Sequence, residues 1–181
     1  MKSSLFATFT LCLGASVLSA DTKVIEAFEG DGFDSWQTAG TGFGLAPIAG
    51  KVDGVNGEFR NYGGNALVCS GHRGDAATGT LTSPEMKLTH AYLGFLVAGG
   101  NHPGKTAVQL LVGGKVVREA TGANGLTLRE NVWDITEFKG KTGVIRIVDE
   151  HVGSWGFIAA DHFVFSSTKE VKFATGGRPK P

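Results

Sequence analysis

Apolar residues in this chain come in short runs of strand length, each broken by glycine or a Gly/Asn/Asp turn, and no run continues at helical spacing. The 28 glycines are about twice the usual share and fall between the apolar runs without a fixed period. That placement favours many tight turns over a collagen-like or linker composition. No window carries apolar residues three and four apart with helix caps at both ends. The chain must therefore bury its apolar surface as sheet against sheet.

Nine runs read as strands: residues 24–29, 66–70, 80–83, 92–98, 107–112, 115–120, 126–133, 144–148 and 157–165. Tyr92-Leu93-Gly94-Phe95-Leu96-Val97-Ala98 is nearly continuous in apolar character, as expected for a central strand buried on both faces. Gly113-Gly114 joins two alternating runs and supplies the positive φ of a primed hairpin turn. Residues 134–138 suit a single helical turn before Gly140. The chain closes with an alternating strand, a loop carrying Trp155 between Gly153 and Gly156, and a last strand with an inserted Asp161-His162 pair. Short strands at roughly even spacing predict an all-β fold, an antiparallel β-sandwich of about eight or nine strands. Its closing third suits a jelly roll of the galactose-binding type.

The first 20 residues read as an export signal: Lys2, an apolar run from Leu5 to Leu18, then Ser19 and Ala20 before Asp21. The run is short for a membrane span. Export to the periplasm, the cell surface or the medium is the expectation. The β-sandwich is expected over residues 21–167, and residues 168–181, ending Gly-Gly-Arg-Pro-Lys-Pro, as a mobile tail. The mature length of about 160 residues suits one core without staples. With Cys12 in the signal, Cys69 has no partner for a disulfide, and its apolar setting predicts a buried, inert thiol. Lys and Arg number 17 against 17 Asp and Glu, with no basic stripe, which argues against nucleic acid.

Several motifs are more specific. Asn101-His102-Pro103-Gly104-Lys105-Thr106, the hairpin from Leu110 to Arg118 followed by Ala120-Thr121-Gly122, and Trp155-Gly156-Phe157-Ile158 with Asp161-His162 resemble the accessory β-sandwich module of bacterial levanases and fructanases of glycoside hydrolase family 32. Phe28-Glu29-Gly30-Asp31 with Trp36, Phe43-Gly44, and Thr78-Gly79-Thr80-Leu81-Thr82-Ser83-Pro84 match the same module in the same order. The resemblance covers residues 24–166, with a departure at residues 51–64. The Asn-Asp-Pro, Arg-Asp-Pro and Glu-Cys motifs of the catalytic domain are missing from this sequence. The resemblance thus implies a noncatalytic module with fructan as ligand. More distantly, the opening Phe28-Glu29 and the closing Ile158-x-x-Asp161 resemble xylan- and glucan-binding sandwich modules.

Three sets of residues could carry chemistry. For hydrolysis, Asp149, Glu150 and Asp161 are the nearest carboxylates in sequence, but Asp149 at a strand end and Glu150 in a loop suit solvated turns. No nucleophile elbow or His-Glu-x-x-His helix occurs. For metal, Glu29 at the end of the first strand and Asp161 in the last would meet at one edge, where related modules hold a structural calcium; backbone carbonyls would complete its six to eight oxygens. The alternative is two separate turn carboxylates. For sugar, an aromatic platform with bidentate polar groups is needed. Trp155, Asp149, Glu150, Asn101, His102, Arg73 and Asp75 lie in three loops that would form a pocket if they share one end. Alternatively, Trp155 is a lid on the core. Trp36 and Trp133 adjoin strands and read as core.

The sequence therefore predicts an exported, noncatalytic carbohydrate-binding module, with a levan-type polysaccharide as partner. The alternative is a structural or adhesion domain docking to another extracytoplasmic protein without binding sugar.

Overall fold

A computed structural model describes residues 20–173. The N-terminal 19 residues of the expected signal and residues 174–181 of the expected tail lie outside the described residues. The chain forms two antiparallel sheets and two short 3-10 turns, Gly71–Arg73 and Thr136–Phe138. The second turn sits where a single helical turn was expected.

Eleven strands make up the sandwich: β1 (Thr22–Glu26), β2 (Gln37–Gly40), β3 (Val68–Cys69), β4 (Gly79–Thr82), β5 (Met86–Lys87), β6 (Tyr92–Gly99), β7 (Thr106–Val112), β8 (Lys115–Ala120), β9 (Gly125–Asp134), β10 (Thr142–Asp149) and β11 (Ile158–Ser166). Sheet one runs β1-β11-β6-β9, with β3 also paired to β11; sheet two runs β2-β4-β10-β7-β8, with β5 also paired to β10. Nine of these strands fall on the nine apolar runs. The other two, β2 and β5, left no apolar signal: β2 is Gln-Thr-Ala-Gly, exposed along its length, and β5 has two residues. The β7–β8 turn is the expected one, with φ of 58° at Gly113 and 74° at Gly114.

Sheet one is apolar on both faces because alternate residues point opposite ways. Leu93, Phe95 and Val97 of β6 face sheet two, where they meet Leu81, Val108, Leu110, Ile145 and Ile147. Leu96 and Ala98 point the other way, with Leu67, Cys69, Leu128 and Ala159. A loop segment carrying Ile48, Val52, Val55, Phe59 and Tyr62 lies over this outer face and makes a second core. It is fastened to β9 by the Arg60 amide on the Leu126 carbonyl (2.9 Å) and the Leu128 amide on the Arg60 carbonyl (2.9 Å). Residues 51–64, where the sequence departs from the module it resembles, are the heart of this cover.

The inter-sheet core is knit by aromatic rings. Phe163 lies 6.1 Å from Phe28, 5.6 Å from Trp36 and 5.4 Å from Phe95. Trp36 and Trp133 are buried, as expected. Cys69 is buried too, and burial pushes its thiol up to about 12, so it carries no thiolate at neutral pH. Within the stretch expected as tail, Val171 and Phe173 lie against Gly94 of β6.

Phe163→Ala removes a ring at the centre of this cluster and is expected to cost about 3–5 kcal/mol in denaturant unfolding, with the far-ultraviolet β spectrum retained. A loss below about 1 kcal/mol would contradict the packing described.

Candidate functional site

One end of the sandwich is held by a buried polar staple. The Ser70 hydroxyl donates to Asp149 Oδ2 at 2.6 Å and accepts the Ile158 amide at 2.9 Å. The His151 amide donates to the other carboxylate oxygen at 3.3 Å. Asp149 ends β10 in sheet two, whereas Ser70 follows β3 and Ile158 opens β11 in sheet one, so the staple joins the sheets. This corrects the sequence reading. Asp149 is not a solvated turn carboxylate and offers no surface to a ligand, because Asp149 and Ser70 are both fully buried. Burial pushes the Asp149 carboxyl up to about 6, with the Asp75 charge adding to it and the Ser70 hydrogen bond opposing it.

Above the staple the three expected loops do share one end. The Gly153 amide donates to the Asp75 carbonyl (3.2 Å) and the Glu150 amide to the Lys105 carbonyl (2.7 Å). His102 Nε2 donates to the Ser154 carbonyl at 3.2 Å, and the His102 and His151 rings stack with centroids 3.6 Å apart. Burial, then the charges of His102 and Lys105, hold His151 below the usual imidazole range. Asn101 is exposed at the rim; its amide donates to Asn124 Oδ1 and its own Oδ1 accepts the Thr121 hydroxyl, both at 2.8 Å.

Trp155 sits in this loop end with φ of 60°, a backbone conformation uncommon for a bulky residue. Its ring lies 5.7 Å from Phe157, tilted by 42°, and packs against the second core. It is half-buried rather than sealed in. Trp155 packs on apolar residues of the second core and also lines an open groove. That groove, of about 540 Å³, is walled by Trp155, Ser154, Asp75, Leu126, Val55 and Asn56.

The other expected contacts lie elsewhere. Arg73 lines a neighbouring groove of about 670 Å³ with Leu45 and Pro47, apart from the groove that Asp75 lines. Glu150 is exposed and lines none of the grooves found among the described residues. Val55, Asn56 and Leu126 were missed by sequence reasoning. In the structure Val52, Val55 and Phe59 are buried, whereas Lys51, Asp53, Asn56, Glu58 and Arg60 are exposed, so the segment lies flat on the core.

Glu29 and Asp161 approach a common segment. Glu29 lies three residues beyond the end of β1, not within it as expected. Its carboxylate accepts the amides of Asn65 (2.8 and 3.0 Å) and Ala66 (3.2 Å) and the Asn65 side-chain amide (2.9 Å). Burial opposes ionisation of Glu29, but these donors outweigh it and hold the carboxyl below its usual range. Asp161 is fully buried and accepts the Gly63 amide at 2.6 Å and the His162 amide at 2.7 Å. Burial, with Glu29 and Glu26 adding, pushes Asp161 up to about 8. Bulges in β1 after Val24 and in β11 after Asp161 mark the same place, as do the positive φ angles of Phe28 and His162. Among the described residues no three His, Cys, Asp or Glu side chains converge as a metal cluster.

With the geometry in view, likeness to known proteins can be weighed. The sequence matches no protein-family model. It is 37% identical over 152 residues to ecdE of Aspergillus rugulosus, whose name assigns it to the glycosyl hydrolases; the match spans 82% of this chain and 22% of that protein. In structure, the chain is similar to the TmCBM61 module in complex with β-1,4-galactotriose, with a TM-score of 0.53, 19% identity and coverage of 77% of this chain and 94% of that one. It is also similar to the K1 cleaved adhesin domain of Lys-gingipain from Porphyromonas gingivalis W83, with a TM-score of 0.51, 19% identity and coverage of 83% and 99%. The fold is thus the β-sandwich found in carbohydrate-binding modules and adhesin domains.

The Asp149 staple has a pH consequence. The folded carboxyl titrates near 6 and the unfolded one near 4, so between those values the native state holds a proton that the unfolded chain has released. Its share of the stability, on the order of 2 kcal/mol, is present below about pH 4 and lost as pH rises to 6. Asp149→Asn is expected to flatten that part of the stability–pH curve; an unchanged slope would contradict the assignment.

Proposed function

We propose that the chain is an exported, noncatalytic carbohydrate-binding module, and that the groove beside Trp155 receives the sugar. The observation that carries this reading is the groove: a half-open indole held by a constrained loop, flanked by the Asp75 and Asn56 side chains. An aromatic face covers the apolar side of a sugar ring, and carboxylate and amide groups bond its hydroxyls. The β-sandwich alone does not decide function, since carbohydrate-binding modules and adhesin domains share it; the site has to decide.

The noncatalytic reading is supported by the fate of the candidate acids. Asp149 and Asp161 are buried and engaged with separate hydrogen-bond partners, so neither stands opposite a second carboxylate across an open cleft. The match to about a fifth of a hydrolase-named protein suits an accessory region. Fructan of the levan type is the proposed ligand, on the family 32 resemblance. Export rests on the reading of the first 20 residues. Docking to another extracytoplasmic protein is the alternative.

A structural calcium at Glu29 and Asp161 belongs to the same proposal. The donor set suits it: all oxygen, with a buried Asp161 that meets two amides and no cation in its hydrogen bonding. Backbone carbonyls near Glu29 would supply the remaining ligands. A bound divalent ion would hold Asp161 ionised and tie the 63–66 segment to the sheet.

Affinity electrophoresis in levan and inulin is expected to retard the protein. Trp155→Ala should abolish retardation while lowering Tm by a few degrees, since the indole also covers Phe157; Asp75→Asn should weaken retardation without changing Tm. No retardation in any polysaccharide, with capture of a protein partner, would favour docking instead. For calcium, chelation of metal-loaded protein is expected to lower Tm, and Asp161→Asn to remove the effect; a Tm indifferent to chelator would contradict the site.

A further inference from the structure

The Trp155 groove does not end at the Trp155 loop. Val55, Asn56 and Gly54 also line a second open groove of about 710 Å³, whose other wall carries Lys51, Asp53, Glu58 and Arg60. Each groove alone has the volume of a small-molecule site. Both are lined by Gly54, Val55 and Asn56, on the loop that covers the second core.

That loop is built to hold its shape. Val52, Val55 and Phe59 anchor it from below, and the Val55 amide closes a turn on the Val52 carbonyl at 3.1 Å. Arg60 is fixed to β9 through its own amide and carbonyl. Gly54 lies so close to the 3-10 turn that a Cβ there would overlap the Gly71 carbonyl, which locks the loop to the segment bearing Asp75. A track with fixed walls spares a ligand much of the ordering cost of binding.

Its chemistry selects the ligand class. The far groove presents two cations and two carboxylates, so its net charge is zero and a polyanion gains nothing there. None of the four forms an ion pair within 4 Å among the described residues. Charged groups left unpaired along an open trough are good bidentate partners for vicinal hydroxyls. Both grooves lie open to solvent.

We propose that the two grooves, joined at Gly54, Val55 and Asn56, form one track that takes a linear, neutral polysaccharide over several sugar units, with Trp155 as the anchor and Lys51 and Arg60 as distal contacts. This rests on the carbohydrate-binding reading above and adds to it the length and charge class of the ligand.

Isothermal titration with neutral oligosaccharides of two to eight units, prepared from levan, inulin and β-1,4-galactan, tests it. Affinity for the retained series is expected to rise with length beyond the disaccharide. The Lys51→Ala/Arg60→Ala double variant should lose about tenfold for the hexamer and nothing for the dimer, whereas Trp155→Ala weakens every length. Both distal side chains are exposed, so an unchanged Tm for the double variant confirms an intact fold. Affinity that is flat from the dimer upward, or a hexamer insensitive to the double variant, overturns the track and leaves the Trp155 site standing. No binding of any oligosaccharide overturns both.

Discussion

Sheet one carries apolar side chains on both faces, and both must be shielded from water. The inner face is covered by sheet two, the ordinary solution for a sandwich. The outer face is covered by loop, and that requirement shapes the working end of the molecule. Laying Val52, Val55, Phe59 and Tyr62 over Leu96, Ala98 and Leu128 forces the intervening polar residues into a row along the surface. The same cover brings Asn56 beside Trp155, which itself packs on Phe157 of that core. The proposed recognition surface and the hydrophobic cover are one segment with two sides. By contrast, the outer face of sheet two carries a polar cluster: Gln109 accepts both Nε and Nη2 of Arg146 and donates to Glu119 at 2.7 Å.

Two buried carboxylates organise the rest, and they differ in kind. Asp149 has a hydroxyl donor and ties the sheets where the loops emerge. Asp161 has backbone amides and holds the cover at Gly63, beside Glu29, which grips the next residues. Each costs desolvation, seen in the raised carboxyl of each. Each is placed where an apolar residue would leave backbone amides unsatisfied. The positive φ angles of Phe28, His162 and Trp155 fall at the same two places, so backbone strain is concentrated where segments are clamped.

Much of the fold was legible because sheets leave a local trace. Alternation gave nine strands, the Gly113-Gly114 pair gave the hairpin, and the unbroken apolar run of β6 disclosed a strand buried on both sides. β2 and β5 escaped because pairing at a polar edge or over two residues needs no apolar side chain. The site was less legible. Asp75, His102 and Trp155 were named from loop composition, and they do gather. Asp149 was misplaced because a strand-end carboxylate looks the same in sequence whether it meets water or a serine some 80 positions away. Arg73 was grouped with Asp75 by proximity in sequence, whereas the two line different grooves. Asn56 was invisible because its place depends on a long-range cover.

The central claim is that recognition happens where the loop cover meets Trp155, and not on the polar face of sheet two. An amide-resolved NMR titration of the protein with a levan-derived oligosaccharide measures this directly. The account predicts shifts confined to residues 54–57, Asp75 and residues 153–157, with Gln109 and Arg146 unmoved. Shifts centred on Gln109, Arg146 and Glu119, with the Trp155 indole silent, would contradict it.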